Sequence, residues 1–306
     1  MDAAPTAAGV VAPSTLCVGI DLDDLRCYRG IHALPPGPDT PLVFDAAVPR
    51  FLDLCDRVRV RATLFAIAED LKWPAAGAAM RAAATAGHEV ASHSLAHRYD
   101  LSLLPPGAIE ADVASARTAL SDAAGREVVG FRGPGYNLSG DLLRVLARTG
   151  HRYDSSVLAS PPYWMARAAI IASIRLRGRR SASIVGRGRD FFRGRAPFRW
   201  GPGDGGLPEF PITACGPIRI PLIGTTLCRP GLAARLVRGA AGRPFVNVEF
   251  HAIDFLGIAE DGIEPALAVE PALKVPLADR LASFESALRA LASGRANSTL
   301  ADLVRR

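Results

Sequence analysis

"LCVGIDLDDL", residues 16–25, is an apolar run that ends in three acids, Asp21, Asp23 and Asp24. The run predicts a buried β-strand over 16–22. Similar apolar, β-branched runs predict further strands at 60–67, 88–93, 127–133, 151–156 and 245–251. Helical patterns lie between them, near 45–58, 73–86, 106–123 and 139–149. This alternation predicts parallel βα units, and hence an α/β barrel or a doubly wound sheet.

Composition narrows the class of protein. The chain has 306 residues, 49% of them hydrophobic, which is enough for a sizeable core. Its five cysteines are scattered and form no CxxC pair, so we expect buried thiols rather than disulfides. No apolar run reaches the roughly 18 to 20 residues of a membrane span. The first twenty residues show no signal-peptide pattern, so we expect a cytoplasmic protein. No glycine-rich phosphate loop follows the first strand, which argues against a nucleotide-binding site.

Polar residues gather at the ends of the predicted strands. Those of chemical interest are Asp23 and Asp24, His93 and His97, Arg132, Asp154, and His251. Because the carboxyl ends of parallel strands open on one face, we expect these residues to meet in a single site.

A metal ion would account for part of this cluster. His93 and His97 are four residues apart, a spacing that can bring two imidazoles to one ion from a helix or from a loop. The alternative is a pair of surface or core histidines. Neighbouring carboxylates at 21–24 repel one another unless a cation is present, although a helix N-cap or a solvated turn would also explain them. One carboxylate and two imidazoles leave coordination positions open, as in catalytic zinc sites.

Five ordered motifs over residues 14–260 resemble the polysaccharide deacetylases of the NodB homology type, carbohydrate esterase family 4. The resemblance implies a distorted (β/α) barrel over 14–306, after a flexible segment at 1–13. It also implies a basic, β-rich insert over about 160–230. The activity it implies is metal-dependent hydrolysis of an N-acetyl or N-formyl amide on an amino sugar of the cell envelope.

By this resemblance the first two motifs supply the base and the metal ligands. Asp23 would be the catalytic base, and Asp24 would bind the metal together with His93 and His97 of the "HSLAH" motif. Ser94 would brace the loop that presents the two histidines. Zinc is the expected ion, and cobalt, nickel or iron could occupy the same ligands.

The other motifs would complete the reaction. In "FRGPGY" (131–136), Arg132 would pair with Asp23 and keep it ionised. Gly135 would give its backbone N–H to the oxyanion, with Tyr136 beside it in the substrate site.

The last two motifs would supply the acid. His251 would protonate the leaving amine, and Asp154 would orient the His251 imidazole. Asp21 is ambiguous and could support the metal site from outside the ligand set.

The insert is strongly basic. Residues 161–200 hold ten arginines and one acid. The stretch 163–200, in which apolar and aromatic residues alternate with arginines, is typical of contact with an anionic membrane, and it could bring the site to a polyprenyl-phosphate-linked sugar. A mobile solvated loop is the competing interpretation, and a nucleic-acid or other polyanion contact is not expected. Residues 207–227 predict a β-rich excursion beside the substrate groove.

Two other functions stay open. One is a metal-independent ring-opening hydrolase of a cyclic amide, which shares the fold. The other is an inactive scaffold that holds a membrane or a polyanion through the basic insert. The full set of predicted ligands argues against the first, and the retained acid and base argue against the second.

Overall fold

The structure, a computed structural model, describes residues 14–186, 193–201 and 206–304. The predicted flexible segment 1–13 and part of the predicted membrane-contact stretch, 187–192, lie outside the described residues. The strands are β1 (Thr15–Asp21), β2 (Thr63–Ala66), β3 (Glu89–Ser92), β4 (Gly130–Phe131), β5 (Tyr153–Asp154), β6 (Phe198–Arg199), β7 (Pro208–Glu209), β8 (Ala214–Cys215), β9 (Ile220–Pro221), β10 (Phe245–His251) and β11 (Ala296–Asn297).

Ten α-helices accompany these strands within the described ranges. They are α1 (Leu25–Ile31), α2 (Val48–Val58), α3 (Pro74–Thr85), α4 (Pro106–Ala124), α5 (Gly140–Arg148), α6 (Pro161–Leu176), α7 (Gly224–Leu227), α8 (Pro230–Ala240), α9 (Leu277–Ala292) and α10 (Leu300–Val304). Proline occupies the first turn of α3, α4 and α6, where its missing N–H costs no helical hydrogen bond.

The sheet is curled into a half-barrel. Nine strands pair in the order β10-β1-β2-β3-β4-β5-β7-β6, and β11 pairs with β1. Every pair in it is parallel except β6 with β7, which is antiparallel. The predicted α/β architecture of a distorted barrel is therefore confirmed. Strands β8 and β9 form a separate hairpin in the excursion that the sequence predicted over 207–227.

Two-residue alternation decides which side chains reach the barrel interior. Leu16, Val18 and Ile20 of β1 belong to the large core between the sheet and its outer helices. Cys17 belongs to a smaller interior cluster closed off by α10. Asp21 has the parity of Cys17, so it faces the interior at the carboxyl end of β1.

The insert is partly helical. Ser160 caps α6, and the helix continues to Leu176, so the beginning of the basic stretch is an ordered helix rather than a mobile loop. Met165 and Leu176 are exposed on it. The structure contains, over the ranges it describes, no helix with the length and apolar character needed to span a membrane. All five cysteines are free and buried, as predicted.

Candidate active site

Asp23, His93 and His97 converge in the half-barrel and offer three ligand atoms within 4.8 Å of one another. Asp23 Oδ1 lies 3.2 Å from His93 Nε2 and 3.3 Å from His97 Nε2. Asp23 follows β1, whereas both histidines follow β3, which is two strands away from it in the sheet. The convergence of two distant segments at the strand ends is what the sequence predicted.

A loop rather than a helix presents the two histidines. Ser94 and His97 both have positive φ, 74° and 53°, a backbone that no helix contains. The Ser94 Oγ accepts a hydrogen bond of 3.0 Å from the His97 N–H, so the predicted bracing by Ser94 is confirmed.

Asp23 Oδ1 accepts no hydrogen bond from either imidazole, although it lies close to both. His93 Nδ1 donates to the Arg132 carbonyl oxygen at 2.7 Å, which leaves Nε2 of the neutral ring with a lone pair directed at Asp23. Both ring nitrogens of His97 are buried with no hydrogen-bond partner. One carboxylate oxygen and two imidazole nitrogens that face one another fit a divalent cation between them, with the nitrogen and oxygen donors that zinc prefers.

Asp24 does not belong to this group, so its predicted role as a metal ligand is wrong. Its side chain caps α1 by accepting the Arg26 N–H at 2.8 Å, and it lies 3.4 Å from the Arg26 guanidinium. Asp23 takes the ligand position instead. Burial would raise the pKa of Asp23, but the two imidazoles lower it well below its ordinary value.

Arg132 pairs with Asp21, which corrects the predicted pair with Asp23. The guanidinium is fully buried, and its Nη1 lies 2.6 Å from Asp21 Oδ1. Ser155 accepts two further hydrogen bonds from it, and the group stacks 3.9 Å above the Phe65 ring. Gly19 leaves room for this stack, because a Cβ there would lie 3.5 Å from Arg132 Nη1 and 3.3 Å from Phe65.

Asp21 is therefore the ionised carboxylate next to the ligand group. Burial would raise the pKa of Asp21, but Arg132 and His93 lower it below its ordinary value. Its second oxygen lies 3.7 Å from His93 Nε2. This position suits a general base, the role that the sequence gave to Asp23.

His251 stands opposite, on the neighbouring strand. It pairs with Asp21 in the register of β10 with β1, and its Nε2 lies 3.3 Å from the Tyr136 hydroxyl and 3.8 Å from Glu249 Oε1. Burial would lower the pKa of His251, but Glu249, Asp23 and Asp21 raise it to about 9. At neutral pH the imidazole is therefore protonated, as an acid catalyst requires.

Asp154 does not orient His251, so that prediction is also wrong. Its Oδ1 accepts a 2.6 Å hydrogen bond from Ser156, and Asp154 is paired with Glu209 in the register of β5 with β7. Burial raises the pKa of both carboxyls, and they lie in the wall of the barrel. The carboxylates near His251 are Asp21, Glu249 and Asp254, and Asp254 Oδ2 accepts the His251 backbone N–H at 2.8 Å.

Gly135 and Tyr136 form a tight turn over the site. Gly135 lines the cleft, and its role as an oxyanion donor stays a prediction. Tyr136 is different, because its N–H donates to the Gly133 carbonyl at 2.8 Å and its hydroxyl donates to Glu249 at 2.6 Å. Both of its donors are taken, so it positions Glu249 and His251 instead.

The turn requires glycine at position 135. Its φ is +59°, and a Cβ there would lie 2.4 Å from Arg167 Nη2 and 2.7 Å from Tyr99 Cδ1. Arg167 donates to the Gly135 carbonyl oxygen at 2.8 Å and to Ser183 at 2.8 Å, which ties α6 to the turn. Any larger side chain here would displace that guanidinium.

We expect Gly135→Ala to lower the free energy of unfolding by about 1–3 kcal/mol, because the new Cβ meets a strained backbone and two fixed side chains. Denaturant unfolding measures the change. Gly107→Ala is the matched control, since no atom lies within 4 Å of a Cβ there and the glycine sits in the first turn of α4. Equal stability of the two variants would contradict this account of the turn.

A cleft of about 300 Å³ opens above these groups. Asp21, Asp23, His93 and His251 line its floor. Its walls are mostly apolar and include Ile31, Ile170, Ile171, Ile253 and Val269. His32 lines it too and pairs with Glu270 at 2.5 Å.

Sequence reasoning missed Glu249 and Arg167 and misjudged Asp21. Glu249 and His251 are two residues apart on β10, so they share the interior face, just as Asp21 and Asp23 share a face across the end of β1. The two-residue period of a strand could therefore have revealed both pairs from the sequence. No comparable pattern marks Arg167, whose partners come from other segments.

The site is thus an interior acid–histidine group at the strand ends of a curled α/β half-barrel. A model described as polysaccharide deacetylase matches residues 37–153, so over this stretch the chain is similar to the family that its motifs resemble. The matched range contains His93, His97 and Arg132 but neither Asp21 and Asp23 nor His251. No curated protein sequence matches the chain.

Solved structures show the same fold at low sequence identity. A protein of Mycobacterium smegmatis assigned as a polysaccharide deacetylase is 17% identical, with a TM-score of 0.60 over 100% of this chain and 93% of its own. The PuuE allantoinase is 14% identical, with a TM-score of 0.58 over 95% and 89% of the two chains. A family 4 carbohydrate esterase pseudoenzyme of Bacillus anthracis is 13% identical, with a TM-score of 0.51 over 99% and 70%.

Proposed function

We propose that the protein is a metal-dependent deacylase that hydrolyses the N-acetyl or N-formyl amide of an amino sugar. One observation carries the proposal. The buried ligand atoms of Asp23, His93 and His97 face one another beside a buried carboxylate, Asp21, that Arg132 keeps ionised. A cation site next to a ready base is the arrangement that amide hydrolysis needs.

Asp23, His93 and His97 would hold the metal, and zinc suits their donor atoms best, with cobalt, nickel or iron as substitutes. When bound, the ion lowers the pKa of water and polarises the acyl carbonyl. A second acid cluster, made of Asp21, Glu249 and His251, needs no ion, because Arg132 Nη1 already lies 2.6 Å from Asp21 and 3.6 Å from Glu249.

The protein's own groups divide the remaining work. Asp21 accepts the proton of the attacking water, and Arg132 fixes its carboxylate. The Gly135 N–H stabilises the developing oxyanion. His251, supported by Glu249 and Tyr136, gives its proton to the departing amine.

Metal content and acyl release test the proposal together. We would measure bound metal in the purified protein, then acetate and formate release from a panel of N-acylated amino sugars before and after chelation. Metal-dependent release from at least one sugar supports the proposal. A metal-loaded protein that releases no acyl group from any of them contradicts the proposed substrate.

We expect kcat/KM to fall as the pH rises through about 9, because the protonated form of His251 is the active one and its pKa is raised to about 9. Glu249→Gln removes the nearest carboxylate, so the basic limb should move to lower pH. The profile is recorded with the metal-loaded protein. If the basic limb of the pH profile lies at the same pH in the Glu249→Gln variant, a group other than His251 determines it.

The two alternative functions can be weighed against the same site residues. The fold likeness to an allantoinase keeps a cyclic-amide hydrolase in view, but such a metal-independent enzyme would not need Asp23, His93 and His97 as a complete ligand group. The fold likeness to a pseudoenzyme keeps an inactive scaffold in view, yet Asp21, Arg132 and His251 are all in position here. We therefore favour the deacylase.

The location and the carrier of the substrate are part of the proposal. We propose that the protein acts in the cytoplasm, on the inner face of the membrane, with α6 at the surface and a polyprenyl-phosphate-linked sugar as substrate. The exposed Met165 (71%) and Leu176 (88%) on α6 support this contact. A Met165→Ser, Leu176→Ser variant should co-sediment less with anionic vesicles, and unchanged sedimentation would exclude α6 as the contact.

A further inference from the structure

A second pocket, of about 1030 Å³, lies beside the cleft, and we call it the arginine pocket. It is bounded by α1, the loop that follows His97, the end of α6 and the segment 179–184. Five arginines line it against one acid, Asp100, and the five are Arg26, Arg98, Arg175, Arg179 and Arg180.

Two of these arginines are already neutralised and three are not. Arg26 lies 2.6 Å from Asp70, and Arg98 binds Asp100 through two hydrogen bonds of 3.0 Å. Arg175, Arg179 and Arg180 are exposed, and none of them has an ion pair with a residue in the described ranges. The helix dipole favours a cation in the last turn of α6, which accounts for the position of Arg175. It does not account for Arg179 and Arg180, which lie beyond the helix.

The wall that carries these arginines is fixed in place. The Ala182 N–H donates to the Gly30 carbonyl oxygen at 2.8 Å, and the Ser181 hydroxyl donates to the Ile31 carbonyl oxygen at 2.6 Å. Ser183 accepts a hydrogen bond from Arg167, the residue that holds the Gly135 turn. The pocket is therefore built on the same elements as the catalytic cleft.

The arginine pocket and the cleft adjoin each other. Tyr99, Ile171 and Ser183 line both cavities, and His97, one of the three candidate metal ligands, also lines the arginine pocket. A single substrate can thus place its acyl group beside Asp21 and an attached anionic group among the arginines.

We propose that the arginine pocket is the subsite for a phosphate group carried by the sugar, so that the substrate is an N-acylated amino-sugar phosphate or phosphodiester. This inference rests on the proposed deacylase function. Several guanidinium groups that converge without a counter-ion match phosphate, because each planar fork can donate two hydrogen bonds to it. The phosphate can come from a soluble sugar phosphate or from a lipid, and the two sources share this chemistry.

Binding to the metal-free protein tests the subsite without any turnover. Removal of the metal prevents the phosphate from simply coordinating the ion. We would measure by calorimetry the affinity for N-acetylglucosamine 1-phosphate and for N-acetylglucosamine. The phosphate should tighten binding by roughly tenfold or more, since charge-assisted hydrogen bonds exceed neutral ones.

A matched pair of triple variants separates the pocket from the overall charge. Arg175→Gln, Arg179→Gln, Arg180→Gln should remove the advantage of the phosphate. Arg229→Gln, Arg235→Gln, Arg238→Gln removes the same charge from exposed arginines at α8 that line neither cavity, and it should keep the advantage within about twofold.

Each remaining outcome decides against the proposal. No preference for the phosphate sugar, or an equal loss in both variants, would mean that no specific subsite exists. Pocket-dependent binding to phosphatidylglycerol vesicles without any preference for the sugar phosphate would assign the arginines to lipid headgroups. Failure of the deacylase proposal is seen separately, as absence of acyl release from every sugar by the metal-loaded wild-type protein.

Discussion

Asp21→Asn should lower kcat/KM by about 10²- to 10⁴-fold while the protein keeps its metal, because the variant loses the general base but none of the three ligands. The amide cannot accept the proton of the attacking water at neutral pH. Acyl release and metal content, measured on the same preparation, check both parts.

The same substitution removes the carboxylate that forms an ion pair with Arg132. Glu249 Oε1, at 3.6 Å from Arg132 Nη1, is the nearest remaining carboxylate. Loss of one partner of a buried ion pair costs about 3–5 kcal/mol, so the folded state of the variant must be verified by circular dichroism. A folded Asp21→Asn protein with activity within about tenfold of wild type would contradict the role of Asp21 as base.

Asp23→Asn should abolish metal binding, and with it nearly all activity. The loss of affinity should exceed the roughly 10- to 100-fold that follows removal of a group outside the ligand set. Thermal unfolding gives a direct measurement, since a ligand at 100 times its Kd stabilises the folded state by about 2.7 kcal/mol. Added zinc should therefore raise the Tm of the wild-type protein but not that of the variant.

Asp24→Asn is the matched control, one residue further on. Asparagine caps helices about as well as aspartate, so α1 should be preserved. This variant should keep both the zinc-dependent rise in Tm and the activity. If Asp24→Asn loses the zinc effect and Asp23→Asn keeps it, the ligand that the sequence motif indicated is correct and the geometric assignment fails.

Most of the regular secondary structure and part of the site could be predicted from the sequence. Strands β1 to β5 and β10 and helices α2 to α5 follow from hydrophobic periodicity, which depends only on local spacing. His93, His97, Arg132 and His251 were predicted as one site because parallel strands end on one face. The basic composition of the insert hid α6, since its helical character depends on a serine cap and a proline rather than on a clear apolar stripe.

Pairings between distant residues were harder to predict. Arg132 pairs with Asp21, the last residue of β1, whereas motif order suggested the adjacent pair Asp23 and Asp24. Asp154 finds Glu209, 55 residues away, on a short strand within the insert that carries no strong sequence signal. Both errors concern which partner is nearest in space, which depends on the curl of the sheet.

Anomalous diffraction from crystals of the zinc-loaded protein would test the central claim most directly. The claim predicts a single strong peak about 2.0–2.2 Å from Asp23, His93 and His97, with Asp24 still at the start of α1. A peak coordinated by Asp24, or no peak between the two histidines after zinc loading, would contradict it.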